Sequence, residues 1–350
     1  MKNIYHGEIK QILIVNLGGI GDLLLSMPAL RAIRRQYPDA HIALLTIPRS
    51  IEIVKRSSYI NEVFTYETGL KKFLDLILSL RRKSFDMVIN MRTLASFRGT
   101  LKIWLLFLVL GAKYRVGRDT EGRGFFLNMK VPESYIGKKH DLEYNLDIAK
   151  ILGAVADDKS LEFNLTNEEL EFADNFLKSR AMHDNDILIG IAPGAPWPAK
   201  RWPLKNFAEL IDRLSKLGYK AVIMGSREEE YLRGELRKIE GLNYISAVGE
   251  TNIGQFAALM KRCSLQVTND TGAMHIAVAV GTPVVAIFGP SHLETFDPRK
   301  ISKNTAVLYK KVDCSPCEKV HCGSKKCLES ITPEEAVKAC LELLGRARHV

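Results

Sequence analysis

The stretch QILIVNLGGIGDLLLSMPALRAIRRQYPDAHIALLT, residues 11–46, decides the fold. Its apolar start, Gln11–Asn16, is typical of a strand buried on both faces, and a glycine-rich turn follows. Apolar residues then recur at helical spacing from Leu23 to Gln36, where Pro28 predicts a kink or a late start. His41–Thr46 is predicted to be a second strand. Strand, helix and strand within about 35 residues predict a parallel sheet with a right-handed crossover.

The same plan begins again near the middle of the chain. Thr166 and Glu169 form a capping box that predicts a helix start, and the apolar run Ile187–Ala192 then leads into a second turn rich in glycine and proline. A chain of 350 residues exceeds what one hydrophobic core usually fills. We therefore predict an α/β protein of two Rossmann-like domains, residues 1–165 and 166–350.

Charge is distributed unevenly along the chain. The formal net charge is +10, and residues 1–160 hold 25 Lys and Arg against 16 Asp and Glu, a balance of +9. Such a field concentrates phosphorylated sugars, nucleic acid or an acidic membrane face, and a solvated surface without a partner remains open. Aromatic residues do not interleave with the cations as single-strand binding favours, so we expect no nucleic-acid partner.

The polar start of the chain and the length of its apolar runs indicate where in the cell the protein is expected. The polar start, MKNIYHGEIK, carries no cleavage-site pattern. The longest uncharged apolar run, Ile103–Gly111, is about half as long as a bilayer-spanning helix. We therefore expect a cytoplasmic protein.

Asp22 is the first candidate for chemistry, at the end of the turn Leu17–Asp22. A helix N-cap is one interpretation of an aspartate there. The other is a carboxylate at the ligand-binding edge of the sheet, able to accept a proton from a substrate hydroxyl. The turn does not match G-x-G-x-x-G, and strand two ends in Thr46 without the acid that an NAD ribose requires, which disfavours a dehydrogenase.

Three loops of the second half carry further candidates. Lys200 and Arg201 stand beside the glycine-bearing loop 192–203, a combination that suits a diphosphate. The sequence TNDTGAMH, residues 268–275, ends a strand and opens a helix, which offers a hydroxyl and backbone N–H groups to an anion. The loop GSREEE, residues 225–230, supplies a glutamate for ribose hydroxyls, although a charged first helical turn explains it equally well.

Four cysteines, Cys314, Cys317, Cys322 and Cys327, are crowded near the end of the chain. The first pair has zinc-like spacing, but the whole set is tighter than a standard finger. A structural metal, a disulfide and unliganded thiols all remain open, and we assign no metal ligand.

Three stretches together resemble one family. NLGGIGDLLLSMPALRAIRRQYP (16–38) resembles the opening of the glycosyltransferase family, family nine, that contains the ADP-heptose:lipopolysaccharide heptosyltransferases. PGAPWPAKRWP (193–203) is similar to its central motif, in the form of the heptosyltransferase II branch. TNDTGAMHIAVAVGTPVVAIFGP (268–290) resembles its third signature. The resemblance implies a GT-B fold, in which two Rossmann-like domains face each other across a cleft, with no cofactor and no catalytic metal.

The resemblance also implies roles. Asp22 matches the general base and Lys200 the lysine that contacts the donor phosphates, so both are catalytic candidates. Binding of the donor, ADP-heptose, is assigned to the second domain, with Glu229 as an alternative to Glu228 at the ribose: Gly194, Lys200, Arg201, Glu228, Asp270, Thr271, Gly272 and His275. The acceptor, the Kdo-bearing lipid A core of lipopolysaccharide, is assigned to the first domain, where the candidates are Gly19, Gly21, Arg92 and Arg98.

The implied reaction is an inverting displacement by a monomer that works at the inner leaflet of the inner membrane. A transferase of the same family for another sugar or acceptor remains an alternative. So do a sugar-nucleotide epimerase of GT-B fold and a catalytically silent binding module.

Overall fold

The computed structural model describes residues 9–134, 137–183, 185–239 and 241–347, which form two compact units divided between Leu161 and Glu162. The polar start, residues 1–8, lies outside the described residues. No helix among the described residues is long and apolar enough to cross a membrane.

The first unit is a parallel sheet of six strands with helices in the connections. Its strand order is β3-β2-β1-β4-β5-β6, and every neighbouring pair is parallel. The elements are β1 (Gln11–Val15), α1 (Ile20–Leu24), α2 (Met27–Gln36), β2 (His41–Thr46), α3 (Ile51–Val54), β3 (Glu62–Thr65), α4 (Leu70–Arg81), β4 (Met87–Asn90), α5 (Phe97–Leu110), β5 (Tyr114–Thr120), β6 (Met129–Glu133) and α6 (Asp141–Ile151).

The second unit repeats this architecture, with strand order β12-β11-β10-β7-β8-β9, again parallel throughout. Its elements are α7 (Asn167–Lys178), β7 (Leu188–Ala192), α8 (Leu204–Lys216), β8 (Lys220–Ile223), α9 (Tyr231–Arg237), β9 (Ile245–Ser246), α10 (Ile253–Arg262), β10 (Leu265–Asn269), α11 (Gly272–Ala279), β11 (Val284–Phe288), α12 (Leu293–Phe296), β12 (Thr305–Tyr309), α13 (Lys326–Glu329) and α14 (Pro333–Ala347).

Both sheets have the strand order 3-2-1-4-5-6 of a Rossmann fold when each is numbered from its own first strand. The connections diverge between the first and fourth strands, which are β1 and β4 in the first unit and β7 and β10 in the second. Ligands of open α/β sheets bind beyond the carboxyl ends of the strands at this switch point. The loops after these four strands are therefore where each unit should carry its chemistry.

Burial explains why the central strands form where they do. The residues of β7, β10 and β11 are buried throughout, as expected for strands covered by helices on both faces. In the hydrophobic core of the second unit, Trp202 packs edge-on against Phe207 and donates its indole N–H to the carbonyl of Ile331 at 3.0 Å. Burying an aromatic ring with its polar N–H satisfied fixes the end of the 193–203 loop.

Pro28 does break the first helix. The helix ends at Leu24, and a second one begins at Met27 with Pro28 in its first turn, where a missing N–H costs nothing.

The capping box predicted at the start of the second unit is also present, because Thr166 accepts from the backbone N–H of Glu169 and the Glu169 carboxylate accepts from that of Thr166.

Candidate active site

Asp22 stands in the first turn of α1, directly beyond β1. Its Oδ2 accepts a hydrogen bond from the backbone N–H of Gly19 at 2.7 Å. Gly19 is the N-cap residue, so Asp22 caps the helix from three positions inside it rather than being the cap itself. A Cβ on Gly18 would lie 2.5 Å from Asp22 Cβ, so only glycine allows the carboxylate to fold back over the turn.

Arg92 meets Asp22 from the neighbouring loop. Val15 and Asn90 are register partners at the ends of β1 and β4, so the residues that follow them leave the sheet side by side. Arg92 Nη1 lies 2.5 Å from Asp22 Oδ1, which leaves the two carboxylate oxygens held by different donors. The Asp22 side chain is 19% exposed, enough for a ligand to reach the remaining lone pairs of an ionised carboxylate.

A buried ionic network supports Arg92 from behind. Arg118 is completely buried and lies 2.6 Å from Asp141 Oδ1 and 3.3 Å from Glu133 Oε1. Asp141 Oδ2 in turn lies 3.9 Å from Arg92 Nη1. Burial alone would raise the pKa of Asp141, but Arg118 and Arg92 outweigh it and hold that pKa below its ordinary value. Asp141 is therefore a fixed negative charge next to Arg92.

Asn16 is a residue of this site that the sequence did not single out. It is buried at the end of β1, where its Oδ1 accepts from the backbone N–H of Gly18 at 3.1 Å and its Nδ2 donates to Ser26 Oγ at 3.2 Å. These bonds tie the glycine turn to the residue that caps α2, and a further bond from Asn16 Nδ2 to the Asp22 carbonyl at 3.3 Å holds the backbone that carries Asp22. The signal for it was a polar residue closing an otherwise apolar strand.

Lys200 forms the corresponding centre of the second unit, in the loop after β7. Its Nζ lies 2.8 Å from Asp270 Oδ2, directly beyond β10. The ammonium also lies 5.0 Å from the ring centroid of Trp197 and 5.7 Å from that of Phe296. Lys200 is thus a partly buried cation at the second switch point, in contact range of an acid and two aromatic rings.

The loop after β7 is tied to the end of β10 by Asn269. The Asn269 side chain donates to the carbonyl of Pro193 at 2.8 Å and accepts from the backbone N–H of Trp202 at 3.0 Å. Arg201 is turned back on the same loop, with Nε donating to the carbonyl of Ala195 at 2.8 Å. The loop that holds Lys200 is therefore rigid on both sides of that residue.

The start of α11 adds backbone donors to this centre. Thr271 is the N-cap and Gly272 the first helical residue, so free N–H groups and the positive end of the helix dipole follow Asp270 directly. His275, one turn on, is buried with its ring 6.4 Å from that of Phe296. Its position is that of a core residue behind the helix start.

The structure distinguishes the two glutamates proposed for the ribose. Glu229 Oε2 accepts from the backbone N–H of Ser226 at 2.8 Å, and a Cβ on Gly194 would lie 1.7 Å from Glu229 Oε1. Glu229 therefore lies against the glycine of the Lys200 loop. Glu228 is exposed in the adjoining turn.

The remaining acceptor candidates, Gly21 and Arg98, lie in different surroundings. Gly21 lies inside α1, where its carbonyl accepts from the N–H of Leu25 at 2.9 Å, and Arg98 is exposed in the first turn of α5. The structure therefore brings Gly19, Asp22 and Arg92 together, while Arg98 points to solvent.

The cysteines are free thiols, and among the described residues no group of three or more His, Cys, Asp and Glu is arranged to hold a metal ion. Cys327 is buried, and burial raises the pKa of its thiol.

Comparison with known proteins identifies the family. Residues 73–328, more than half of the chain, match the profile of glycosyltransferase family 9 (heptosyltransferase). The chain belongs to glycosyltransferase family 9. It is thus an enzyme that transfers a sugar, and the two Rossmann-like units are those of a GT-B glycosyltransferase.

Similar proteins align over nearly the whole chain. Lipooligosaccharide heptosyltransferase 2 of Haemophilus influenzae is 28% identical, and the alignment covers 96% of this chain and 99% of the relative. The structure of a family 9 glycosyl transferase from Veillonella parvula superposes with a TM-score of 0.79 at 26% identity, covering 96% of this chain and 97% of that one. The structure of Escherichia coli ADP-heptose LPS heptosyltransferase II has a TM-score of 0.75 at 24% identity, with 97% and 99% covered, and shows the same fold.

Proposed function

We propose that this family 9 enzyme transfers heptose from ADP-heptose to the inner core of lipopolysaccharide, with inversion at the anomeric carbon. The names of the relatives support the sugar and the acceptor. The observation that carries the proposal is the convergence of Lys200, Asp270 and the start of α11 at one switch point, which suits a nucleoside diphosphate.

The second unit binds the donor in this proposal. The diphosphate lies against Lys200 and the N–H groups at Thr271 and Gly272, where charge and dipole both favour an anion. Gly194 allows its loop to approach the nucleotide closely, and Glu229, rather than Glu228, accepts the ribose hydroxyls. Arg201, in the Lys200 loop, and His275, one turn into α11, complete the set assigned to the donor.

The first unit binds the acceptor. Its balance of +9 over residues 1–160 suits the carboxylates of Kdo and the phosphates of lipid A. Arg92 is the nearest cation to Asp22, and Arg98 extends the positive surface outward. Gly19 and Gly21 leave the backbone beside Asp22 open to a sugar.

Asp22 acts as the general base. It takes the proton of an acceptor hydroxyl, whose oxygen forms a bond to the anomeric carbon of the heptose as the bond from that carbon to the ADP phosphate breaks. Negative charge builds on the departing phosphate, where Lys200 and the start of α11 stabilise it. This distribution of charge requires no metal ion.

The proposal extends to location and assembly. An acceptor anchored by lipid A requires the enzyme to work at the cytoplasmic face of the inner membrane, as a peripheral protein. We propose that it does so as a monomer, because each unit carries a complete set of the residues assigned to its own ligand.

The test is ADP release and heptose transfer with ADP-heptose and a Kdo-bearing lipid A acceptor in EDTA, for wild type and Asp22→Asn. We expect acceptor-dependent release by wild type and a loss of roughly 10²- to 10⁴-fold in kcat for the variant. Asp39→Asn, at an exposed aspartate after α2, is the matched control and should leave kcat unchanged.

Four outcomes would overturn parts of the proposal. A requirement for added metal, or full activity of Asp22→Asn, would refute the mechanism. Activity only with another nucleotide sugar would move the enzyme to a different substrate within family 9. Conversion of the donor to an epimer without any acceptor would support an epimerase instead.

A further inference from the structure

Helix α5 exposes an apolar stripe to solvent. Phe97, Leu101, Leu105 and Leu108 follow one another at spacings of four, four and three residues, which places them on one side of the helix, and each is 40% to 74% exposed. The opposite side of α5, including Phe107, is buried in the core of the first unit. A helix that is apolar on both its buried and its solvent side is not explained by packing within this chain.

Helix α4 extends this surface. Leu74 and Leu78 are both more than half exposed, and α4 packs beside α5. Together the two helices border a groove of about 920 Å³ whose lining is predominantly apolar. The groove continues inward to Gly18 and Arg92, next to the Asp22 carboxylate. We call the exposed sides of α4 and α5, with this groove, the α4–α5 face.

Cations accompany the apolar stripe. The two helices carry five basic residues and a single acid, Asp75. The five basic side chains are all exposed: Lys71, Lys72, Arg81, Arg98 and Lys102. Lys72 pairs with Glu67 at 2.5 Å, whereas Lys102 lies on the edge of the groove. An apolar stripe with basic residues beside it is the pattern of a helix that lies in the interface of an anionic membrane.

We propose that the α4–α5 face docks on an anionic lipid bilayer, with Phe97, Leu101, Leu105 and Leu108 entering the boundary between headgroups and acyl chains. The lysines and arginines beside the stripe contact the lipid phosphates. A second copy of this chain is a poorer occupant, because a symmetric contact would set two faces of the same positive charge against each other.

The reason for the enzyme to dock on a membrane rests on the proposed function. A lipid-anchored acceptor in that bilayer would enter the first unit along the groove that leads to Arg92 and Asp22. Membrane docking by this face would therefore hold the enzyme where its acceptor is, without a membrane-spanning segment.

The experiment is co-flotation of the full chain with vesicles of phosphatidylglycerol and phosphatidylcholine, or of phosphatidylcholine alone. We expect binding to the anionic vesicles only. Leu101→Gln with Leu108→Gln should raise the lipid concentration for half-binding by about a hundredfold. Lys71→Gln with Lys102→Gln should raise it by about thirtyfold, an effect that added salt removes.

The matched control is Val155→Gln with Leu217→Gln, two exposed apolar residues outside the α4–α5 face, and its vesicle binding should equal that of wild type. All variants should keep wild-type turnover on a deacylated, water-soluble acceptor, which shows that they fold. Equal binding to neutral vesicles, unchanged binding by the leucine variant, or dimers that the leucine variant abolishes would each overturn the inference. Vesicle binding without any heptose transfer would refute the proposed function and leave the docking surface standing.

Discussion

The two units place a charged pair at the same topological point, but with the charges exchanged. In the first unit the acid, Asp22, follows the first strand and the cation, Arg92, follows the fourth. In the second unit the cation, Lys200, follows the first strand and the acid, Asp270, follows the fourth. The same backbone plan thus presents a carboxylate suited to a proton in one unit and an ammonium suited to a phosphate in the other.

The surroundings of the two pairs differ as well. Arg92 lies next to a buried network that includes Asp141 and Arg118. This network consists of the chain's own residues, so it is present whether or not a ligand is bound. Lys200 has one carboxylate partner and otherwise aromatic neighbours. We propose that a donor phosphate competes with Asp270 for Lys200, whereas Arg92 stays with Asp22 and Asp141. In this proposal the first unit holds its charge rigid, while the second exchanges one anion for another.

Of the two paired cations, the exchangeable one, Lys200, should show the larger effect when it is removed. Lys200→Met should lower kcat/KM for the donor by roughly 10²- to 10³-fold, because the charge that develops on the leaving phosphate loses its main partner. Steady-state kinetics with varied ADP-heptose measure this loss, and the donor KM should rise with it.

Two variants control that prediction. Lys200→Arg keeps the charge and should retain more activity than Lys200→Met. Arg201→Met removes a cation that is already bound to its own loop, so its loss should be about tenfold or less. Equal losses for Lys200→Met and Arg201→Met would mean that the donor responds to the summed positive charge of the loop and not to Lys200 in particular. That result would contradict the contrast between the Asp22–Arg92 pair and the Lys200–Asp270 pair.

The smaller effect of the two should come from removing the fixed cation, Arg92. Arg92→Met should lower kcat by about thirtyfold with the donor KM unchanged, because Asp22 loses the group that holds one of its oxygens. Arg92→Lys should recover part of this loss. The check is the split between kcat and donor KM, and a rise in donor KM without a change in kcat would show that Arg92 belongs to the donor side.

The sequence predicted the centre of each sheet and missed its edges. The apolar runs predict eight strands, at residues 11–16, 41–46, 87–90, 114–117, 187–192, 221–225, 265–268 and 284–288. The four strands that they do not reveal, β3, β6, β9 and β12, are the outermost strands of the two sheets. The edge strands are partly exposed, and β3, β6 and β9 lack the continuous apolar run that marks a central parallel strand. Only β12, TAVLY, has a short run of that kind. By contrast, the sequence predicts a helix over Phe97–Leu110, and these are the bounds of α5, where Ser96 caps the start and Gly111, at φ 64°, ends the helix.

The site could be predicted only in part. Motifs marked Asp22 and Lys200, but each pairs with a residue 70 positions away, and only the switch-point geometry brings those partners together. The sequence also predicts a helix over Glu228–Ile239, and its predicted start was wrong. Glu229 turns back to bond Ser226, so residues 227–229 form a tight 3₁₀ turn and α9 begins at Tyr231. Asn16 opens the first motif but was interpreted only as the end of a strand, and Asp141 lies in no recognised motif.

A third prediction uses the glycine that lies beneath a carboxylate in each unit. A Cβ on Gly18 would press on Asp22, and a Cβ on Gly194 would press on Glu229. Gly18→Ala should lower kcat by about tenfold through displacement of the base, and Gly194→Ala should raise the donor KM by about tenfold through displacement of a ribose ligand. The two substitutions are chemically identical, so each serves as the control for the other. The same kinetic change in both variants would remove the distinction between acceptor and donor units.

The smallest effect on turnover should come from the buried network itself. Asp141→Asn should reduce kcat by only about threefold, since Arg92 keeps its contact with Asp22. Its larger consequence should be on stability, because Arg118 loses a charged partner in a buried setting, and the free energy of unfolding should fall by about 3 kcal/mol. Urea unfolding followed by circular dichroism measures this difference.

The pH dependence of that stability difference sharpens the prediction. The folded-state pKa of Asp141 is lowered, so its ionised form contributes stability above the unfolded-chain value of about 4, and this contribution is lost as pH falls through the lower folded-state pKa. The difference between wild type and Asp141→Asn should therefore be complete at neutral pH and should narrow below about pH 4. Asp39→Asn, at an exposed aspartate, should show no such dependence. A difference that stayed constant with pH would mean that the network acts through packing rather than charge, and the contrast between a rigid first pair and an exchangeable second pair would lose its physical basis.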